Sequence, residues 1–111
     1  EALSLPYERV VGLLGETAKN VCEYSAMRGS VRLLKWTQEN NLTWSEPTGQ
    51  WAAENGHLSA LQYLHENGCP WNSDTCYFAA TYEHWDCLQY LVDNKCPGWD
   101  WYDEGYAEYL R

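Results

Sequence analysis

The sequence repeats itself at an interval of 27 residues. Four kinds of position recur in register in three copies: a pair of small residues, a leucine, an aromatic residue and an asparagine. The pairs are Ser25-Ala26, Ala52-Ala53 and Ala79-Ala80, the leucines Leu34, Leu61 and Leu88, the aromatic residues Trp36, Tyr63 and Tyr90, and the asparagines Asn40, Asn67 and Asn94. A fixed interval of this length is typical of a repeat architecture, in which each copy is one structural unit.

Each copy carries the pattern of two short helices. In the middle copy, apolar residues three positions apart mark one face of a helix, at Leu58, Leu61 and Leu64. Gly68 is expected to end this helix, because glycine readily adopts the left-handed conformation of helix C-termini. The segment 48–55 predicts a preceding helix, with Thr48 as its N-cap and Thr75 as the N-cap of the equivalent helix. The paired alanines allow the two helices to approach closely.

Helices of this length are not stable in isolation, since helices shorter than about 12 residues are marginal in water. Each pair must therefore bury its apolar face against the next pair, and the ends of such a stack need polar caps. We divide the chain into an N-terminal capping helix or degenerate repeat at 1–19, three repeats at 20–99 and a C-terminal capping helix at 100–111. The sequence predicts an all-α, helix-turn-helix solenoid.

The run of residues 52–68 resembles the body of an ankyrin repeat. Its alanine pair, its Gly56-His57 turn and its leucine spacing match the AA-x-x-GHLEVVKLLLE-x-G pattern of that family. The resemblance covers about residues 20–97 and implies a solenoid of about three ankyrin-like repeats. In ordinary members of the family, hairpin tips and the concave first helices hold a protein partner.

Two copies and the connections depart from the family pattern. Glu83 replaces the turn glycine in the third copy, and Ser30 replaces the turn histidine in the first. Ankyrin repeats usually run about 33 residues, and the missing residues fall where the family carries its β-hairpin. We expect residues 68–75 to connect the helices directly, which weakens any transfer of the family's binding positions to this chain.

Composition restricts the classes of partner. The chain has 111 residues and a net charge of -9, which suits one domain and is the wrong sign for binding nucleic acid. No apolar run approaches the ~20 residues of a membrane-spanning helix. Residues 49–111 hold ten of the 16 acidic residues. These residues form either a solvated face or a docking patch for a basic partner. Because the sequence starts at Glu1, either a leader has been removed or the sequence is part of a longer chain.

Five cysteines exclude a framework that pairs all of them within the chain. Equivalent cysteines in adjacent repeats, Cys69 and Cys96, should lie ~8 to 10 Å apart, beyond the ~7 Å limit for Cα atoms joined by a disulfide. We expect buried, reduced thiols, with a Cys69–Cys76 bridge as the local alternative. An intracellular or organellar location is favoured over secretion.

Metal binding and catalysis have weak support. A zinc site would use Cys69, Cys76, His57 and His84, but these lack the short ligand pair of structural zinc sites; the histidines are expected to bond local backbone. Phosphate-binding, nucleophile-elbow and HExxH motifs are absent from the sequence. Glu83-His84 and Glu104 are the remaining acid-base candidates. We expect no enzyme activity, cofactor or small-molecule substrate.

Seven tryptophans and nine tyrosines are the unusual feature of the composition. Aromatic residues at helical repeat positions are interpreted as packing: Trp36, Trp51, Tyr63, Trp85 and Tyr90. The connections carry a second set, namely Trp44, Trp71 and Trp99. These rings either fold over the neighbouring helix ends or contact a partner, since tryptophan and tyrosine dominate interface hot spots. Tyr77 and Tyr82 are the next candidates for partner contact.

The sequence therefore predicts a non-catalytic protein-binding or scaffolding module whose partner is another protein or a multiprotein complex. The alternative is a structural subunit built permanently into a larger assembly, for which an organelle is one setting. A small enzyme or metal protein is the third hypothesis. Neither nucleic-acid binding nor a membrane-spanning segment is expected.

Overall fold

The computed structural model describes residues 21–101, and this part of the chain is helical, without strands. Six α-helices follow one another as three pairs. The pairs are α1 Val21–Arg28 with α2 Val31–Glu39, α3 Glu46–Glu54 with α4 Leu58–Glu66, and α5 Ser73–Thr81 with α6 Trp85–Asp93. The all-α prediction is confirmed. Residues 1–20 and 102–111, which include most of both predicted capping segments, lie outside the described residues.

The three helix pairs stack in register. The first helices form one row, in which α3 packs between α1 and α5, and the second helices form another, in which α4 packs between α2 and α6. Each first helix also packs on the second helix of its own pair. This arrangement is the helix-turn-helix solenoid that the repeat predicted. None of the helices in the described part of the chain is both long and apolar enough to cross a membrane.

The core lies between the two rows of helices. The recurring leucines are fully buried and are joined by leucines one helical turn later: Leu34, Leu61, Leu64, Leu88 and Leu91. Burying a leucine side chain contributes about 1.5–3 kcal/mol to the free energy of folding. The small residues of the first helices are buried beside them, at Ala26, Ala52, Ala53 and Ala79. Their lack of bulk allows the two rows to approach closely, as the sequence predicted.

The N-caps of these first helices lie three residues before the predicted ones. The N-caps are Ser45 and Asn72, whereas Thr48 and Thr75 occupy the third helical position. The Ser45 N–H donates to Thr48 Oγ1 at 3.0 Å, and the Asn72 N–H donates to Thr75 Oγ1 at 3.4 Å. The prediction that the threonines are N-caps is wrong, because their buried hydroxyls bond back to the preceding turn.

The second helices end in one recurring motif. The Asn67 side chain donates to the Tyr63 carbonyl at 2.8 Å, and Gly68 follows with φ +88. The Cys69 N–H then donates to the Leu64 carbonyl at 2.9 Å, which closes a Schellman motif. Gly68 therefore ends the helix as predicted. The connection runs on to the next helix without a β-hairpin.

Candidate functional site

Two histidines join neighbouring repeats. His57 Nε2 donates to the Met27 carbonyl at 2.9 Å, and His84 Nε2 donates to the Glu54 carbonyl at 2.9 Å. Each acceptor is the carbonyl of a residue near the C-terminus of the preceding first helix, where helix carbonyls lack intrahelical partners. The expectation that the histidines bond local backbone is wrong, because each acceptor belongs to the preceding repeat.

The histidine rings lie over the turn glycines of the preceding repeat. A Cβ atom added at Gly29 would lie 2.5 Å from the ring of His57, and one added at Gly56 would lie 2.5 Å from the ring of His84. Both glycines have φ +71. The glycine of one repeat therefore makes room for the histidine of the next, and this contact joins the two repeats at their turns.

A row of aromatic side chains follows the first helices. Tyr24, Trp51 and Phe78 occupy equivalent positions at the 27-residue interval, and all three are half-buried. The Trp51 indole N–H donates to Glu23 Oε1 at 3.1 Å, which links α3 to α1. Sequence analysis did not identify this row, although its members recur in register, because three different residue types share the position.

Two further aromatic residues beside this row, Tyr77 and Tyr82, are exposed to solvent. They are 54% and 51% exposed, Tyr77 within α5 and Tyr82 at its C-cap. The Tyr77 ring meets the Phe78 ring edge to face, with 5.5 Å between centroids. We call Tyr77, Tyr82 and the aromatic row together the first-helix face. Tyr77 therefore lies on α5 and Tyr82 directly follows it, and both rings are accessible.

The three connection tryptophans fold against the array. The Trp44 indole N–H donates to Thr37 Oγ1 at 2.9 Å, and the Trp71 ring stacks on His65 with 3.9 Å between centroids. Lys95 Nζ lies 4.1 Å from the centroid of the Trp99 ring. All three rings are half-buried and pack against the core.

These tryptophans contact second-helix residues or residues just after a second helix, whereas the two tyrosines lie on a first helix. The five predicted partner residues therefore form two groups. The aromatic residues that the sequence assigned to packing do pack: Trp36 is buried in a small cluster with Val21, and the others lie against the main core, namely Trp51, Tyr63, Trp85 and Tyr90.

Charge changes sign along the stack. Residues 21–44 carry three basic and two acidic residues, whereas residues 45–71 carry three acidic residues and no lysine or arginine. Residues 72–101 carry five acidic residues and one lysine, Lys95. All five acidic side chains of this last segment are exposed. The exposed tyrosines therefore lie in the most acidic repeat of the described chain.

All five cysteines are buried and free. Burial raises the pKa of the Cys69 and Cys87 thiols to about 12. The thiols of Cys76 and Cys96 in the third repeat interact, which lowers the pKa of Cys76 and raises that of Cys96, and the Cys96 thiol donates to the Asn72 carbonyl at 3.5 Å. Sequence analysis missed this pair, because it compared cysteines between repeats. The alternative Cys69–Cys76 bridge is not formed.

The described residues contain no cluster of three or more histidine, cysteine or acidic side chains arranged to hold a metal ion.

Residues 50–92 match the family described as ankyrin repeats (many copies). The matched segment runs from α3 to α6 and includes the contact between Gly56 and His84. No curated protein and no solved structure matches the chain.

Proposed function

We propose, on the premise that residues 50–92 match the family of ankyrin repeats, that the chain is a non-catalytic module that binds another protein. Ankyrin repeats generally mediate protein–protein interaction. In this proposal the partner contacts the first-helix face, with Tyr77 and Tyr82 as the principal contact residues.

The observation that carries the proposal is the exposure of these two tyrosines. Nearly all other large aromatic residues of the described chain are buried or half-buried, whereas Tyr77 and Tyr82 are more than half exposed. A tyrosine side chain combines a large apolar area with a hydroxyl group and loses little rotamer entropy when it is bound. Two such side chains, one on α5 and one at its C-cap, are suited to anchor a partner.

Rigidity supports the same proposal. The histidines tie each repeat to the one before it, and the helix ends are closed by backbone hydrogen bonds, such as that from the His84 N–H to the Ala79 carbonyl at 2.8 Å. A surface that is already ordered loses less conformational entropy on binding. The module therefore displays its contact residues in one fixed geometry.

The connection tryptophans have the smaller part in this proposal. Trp44, Trp71 and Trp99 already engage a hydroxyl, an imidazole and an ammonium group of their own chain. Their remaining exposed edges form a second, flanking contact region on the side of the second helices.

The alternative function is a structural subunit held permanently in a larger assembly. The observation that favours it is Trp101, which is 77% exposed. A tryptophan of that exposure would be covered in an assembly. Size-exclusion chromatography and circular dichroism of the isolated chain distinguish the two functions, because a permanent subunit is expected to be unfolded or aggregated without its neighbours.

The test of the proposed function is affinity purification from the native source. The tagged chain is compared with a Tyr77→Ala/Tyr82→Ala variant and with an Arg32→Ala/Ser59→Ala control, which changes exposed residues of the second helices. We expect a protein that is retained by the wild type and the control but lost by the tyrosine variant, and that binds the purified chain with the same dependence. Equal retention by all three folded chains would contradict the proposal.

A further inference from the structure

We propose that the first-helix face of the third repeat binds a segment of the partner protein that contains arginine residues. This inference rests on the proposed function and specifies the chemistry of its partner. It is argued from the charges around Tyr77 and Tyr82 and from a contact within the first repeat.

Acidic side chains flank both tyrosines. Asp74 precedes Tyr77 by three residues on α5, so the two side chains are neighbours on the helix surface. Glu83 follows Tyr82 directly, and both Asp74 and Glu83 are exposed. In residues 45–101 the single lysine or arginine is Lys95, and its ammonium group lies against the Trp99 ring, after α6. No lysine or arginine of these two repeats is therefore placed on α5 beside the tyrosines.

The first repeat contains the kind of contact that we infer for the partner. There Arg28 lies over the ring of Tyr24, with 5.8 Å from its guanidinium carbon to the ring centroid. In the third repeat, Phe78 occupies the position of Tyr24, and Tyr82 occupies the position of Arg28. The third repeat thus has aromatic rings at both positions and lacks the cation that the first repeat supplies to itself.

Arginine fits this surface better than lysine. A guanidinium group is planar, stacks on aromatic rings and binds a carboxylate through two parallel hydrogen bonds. Tyr77 and Tyr82 are five residues apart, which corresponds to about 7.5 Å along a helix axis and about 140° around it. A segment that contacts both rings must therefore curve around α5, and a peptide in which arginine alternates with glycine is flexible enough to do so.

The test uses fluorescein-labelled peptides of about eight residues in which arginine, lysine or glutamate alternates with glycine. Binding to the folded chain is measured by fluorescence anisotropy at physiological ionic strength, where long-range attraction between exposed charges is screened. We expect the arginine peptide to bind more tightly than the lysine peptide, and the glutamate peptide not to bind.

Two pairs of variants locate the binding site. Tyr77→Ala/Tyr82→Ala should weaken binding of the arginine peptide about tenfold, whereas Tyr77→Phe/Tyr82→Phe, which keeps both rings, should change the affinity less than about twofold. Asp74→Asn/Glu83→Gln should weaken binding about tenfold. The matched control Glu66→Gln/Asp93→Asn removes the same charge from the second helices and should have less than about a twofold effect.

Equal losses in the two charge variants would overturn the inference, because binding would then depend on net charge alone. Arginine-peptide binding that is unchanged in the Tyr77→Ala/Tyr82→Ala variant would also overturn it, because binding would then not depend on the tyrosine rings. If affinity purification yields a partner that requires Tyr77 and Tyr82, while the arginine peptide does not bind the chain, the proposed function stands and this inference is wrong. If no such partner exists, the proposed function fails whatever the peptide does.

Discussion

The imidazole ring of His84 occupies the space into which a side chain at Gly56 would project. A Cβ atom at Gly56 would lie 2.5 Å from His84 Nδ1. The adjacent His57 makes the same contact with Gly29 of the first repeat. The Gly56-His57 dipeptide therefore serves two interfaces, since the glycine receives the following repeat and the histidine reaches the preceding one.

This relationship predicts the effect of Gly56→Ala. The substitution places a side chain at φ +71 and displaces the His84 ring, so we expect it to lower the free energy of unfolding by about 2–4 kcal/mol. Gly68→Ala is the matched control, because Gly68 has φ +88 and no atom within 4 Å of its added Cβ. It should cost about 1 kcal/mol. Urea denaturation of both variants measures the difference, and equal losses would contradict the contact.

A double-mutant cycle tests whether Gly56 acts through His84. His84→Ala removes the hydrogen bond to the Glu54 carbonyl and should cost about 1–2 kcal/mol. In that background Gly56→Ala should cost only about 1 kcal/mol, the backbone contribution alone. His57→Ala is the control, since His57 neighbours Gly56 in sequence but its ring contacts Gly29. Denaturation of the wild type, the three single variants and the two double variants should show coupling for His84 and none for His57.

The repeat was predictable from the sequence because its core positions combine one residue type with one spacing. Leu61 is the type case: it recurs at the 27-residue interval and is 1% exposed. The helix starts were less predictable, because Thr48 is a good N-cap residue and only the folded chain shows that its hydroxyl bonds back to Ser45. The periodicity of a sequence shows which positions are equivalent but not which atoms they contact.

Contacts that join non-equivalent positions explain the remaining differences between the predictions and the structure. His84 bonds a carbonyl 30 residues earlier, and a local reading of the turn cannot reveal that acceptor. The Cys76–Cys96 pair joins two different positions of one repeat, so a comparison of equivalent positions misses it. For the candidate site, Tyr77 and Tyr82 were identified by residue type, whereas the engagement of the connection tryptophans depends on side-chain packing.

The hydrogen bond of Trp44 distinguishes it from Trp71. Trp44→Phe removes the donor to Thr37 Oγ1 and should destabilise the fold by about 1 kcal/mol more than Trp71→Phe. Trp71 contributes a ring stacked on His65, and phenylalanine can keep most of that contact. Thermal or urea denaturation of the two variants provides the comparison. A larger loss for Trp71→Phe would show that stacking, and not the indole hydrogen bond, stabilises the connections.

The buried thiols predict how stability depends on pH. Folding raises the pKa of Cys69 and Cys87 from 9.0 to about 12, so above pH 9 the unfolded chain loses protons that the folded chain retains. The stabilisation from these two groups is complete below pH 9 and is lost as the pH rises from 9 towards 12. Between pH 8 and pH 10 the free energy of unfolding should fall by about 1.4 kcal/mol for each thiol.

Urea denaturation at the two pH values checks this, with Cys69→Ala/Cys87→Ala compared with the wild type. The double variant should lose about 3 kcal/mol less than the wild type between pH 8 and pH 10. Lysines and tyrosines titrate in both chains, so their contribution cancels in the difference. Val92→Ala is the control, because it shortens a buried side chain of α6 without removing a thiol. It should be less stable at both pH values yet keep the pH dependence of the wild type, whereas an unchanged pH dependence in the double variant would show that the two thiols ionise alike in both states.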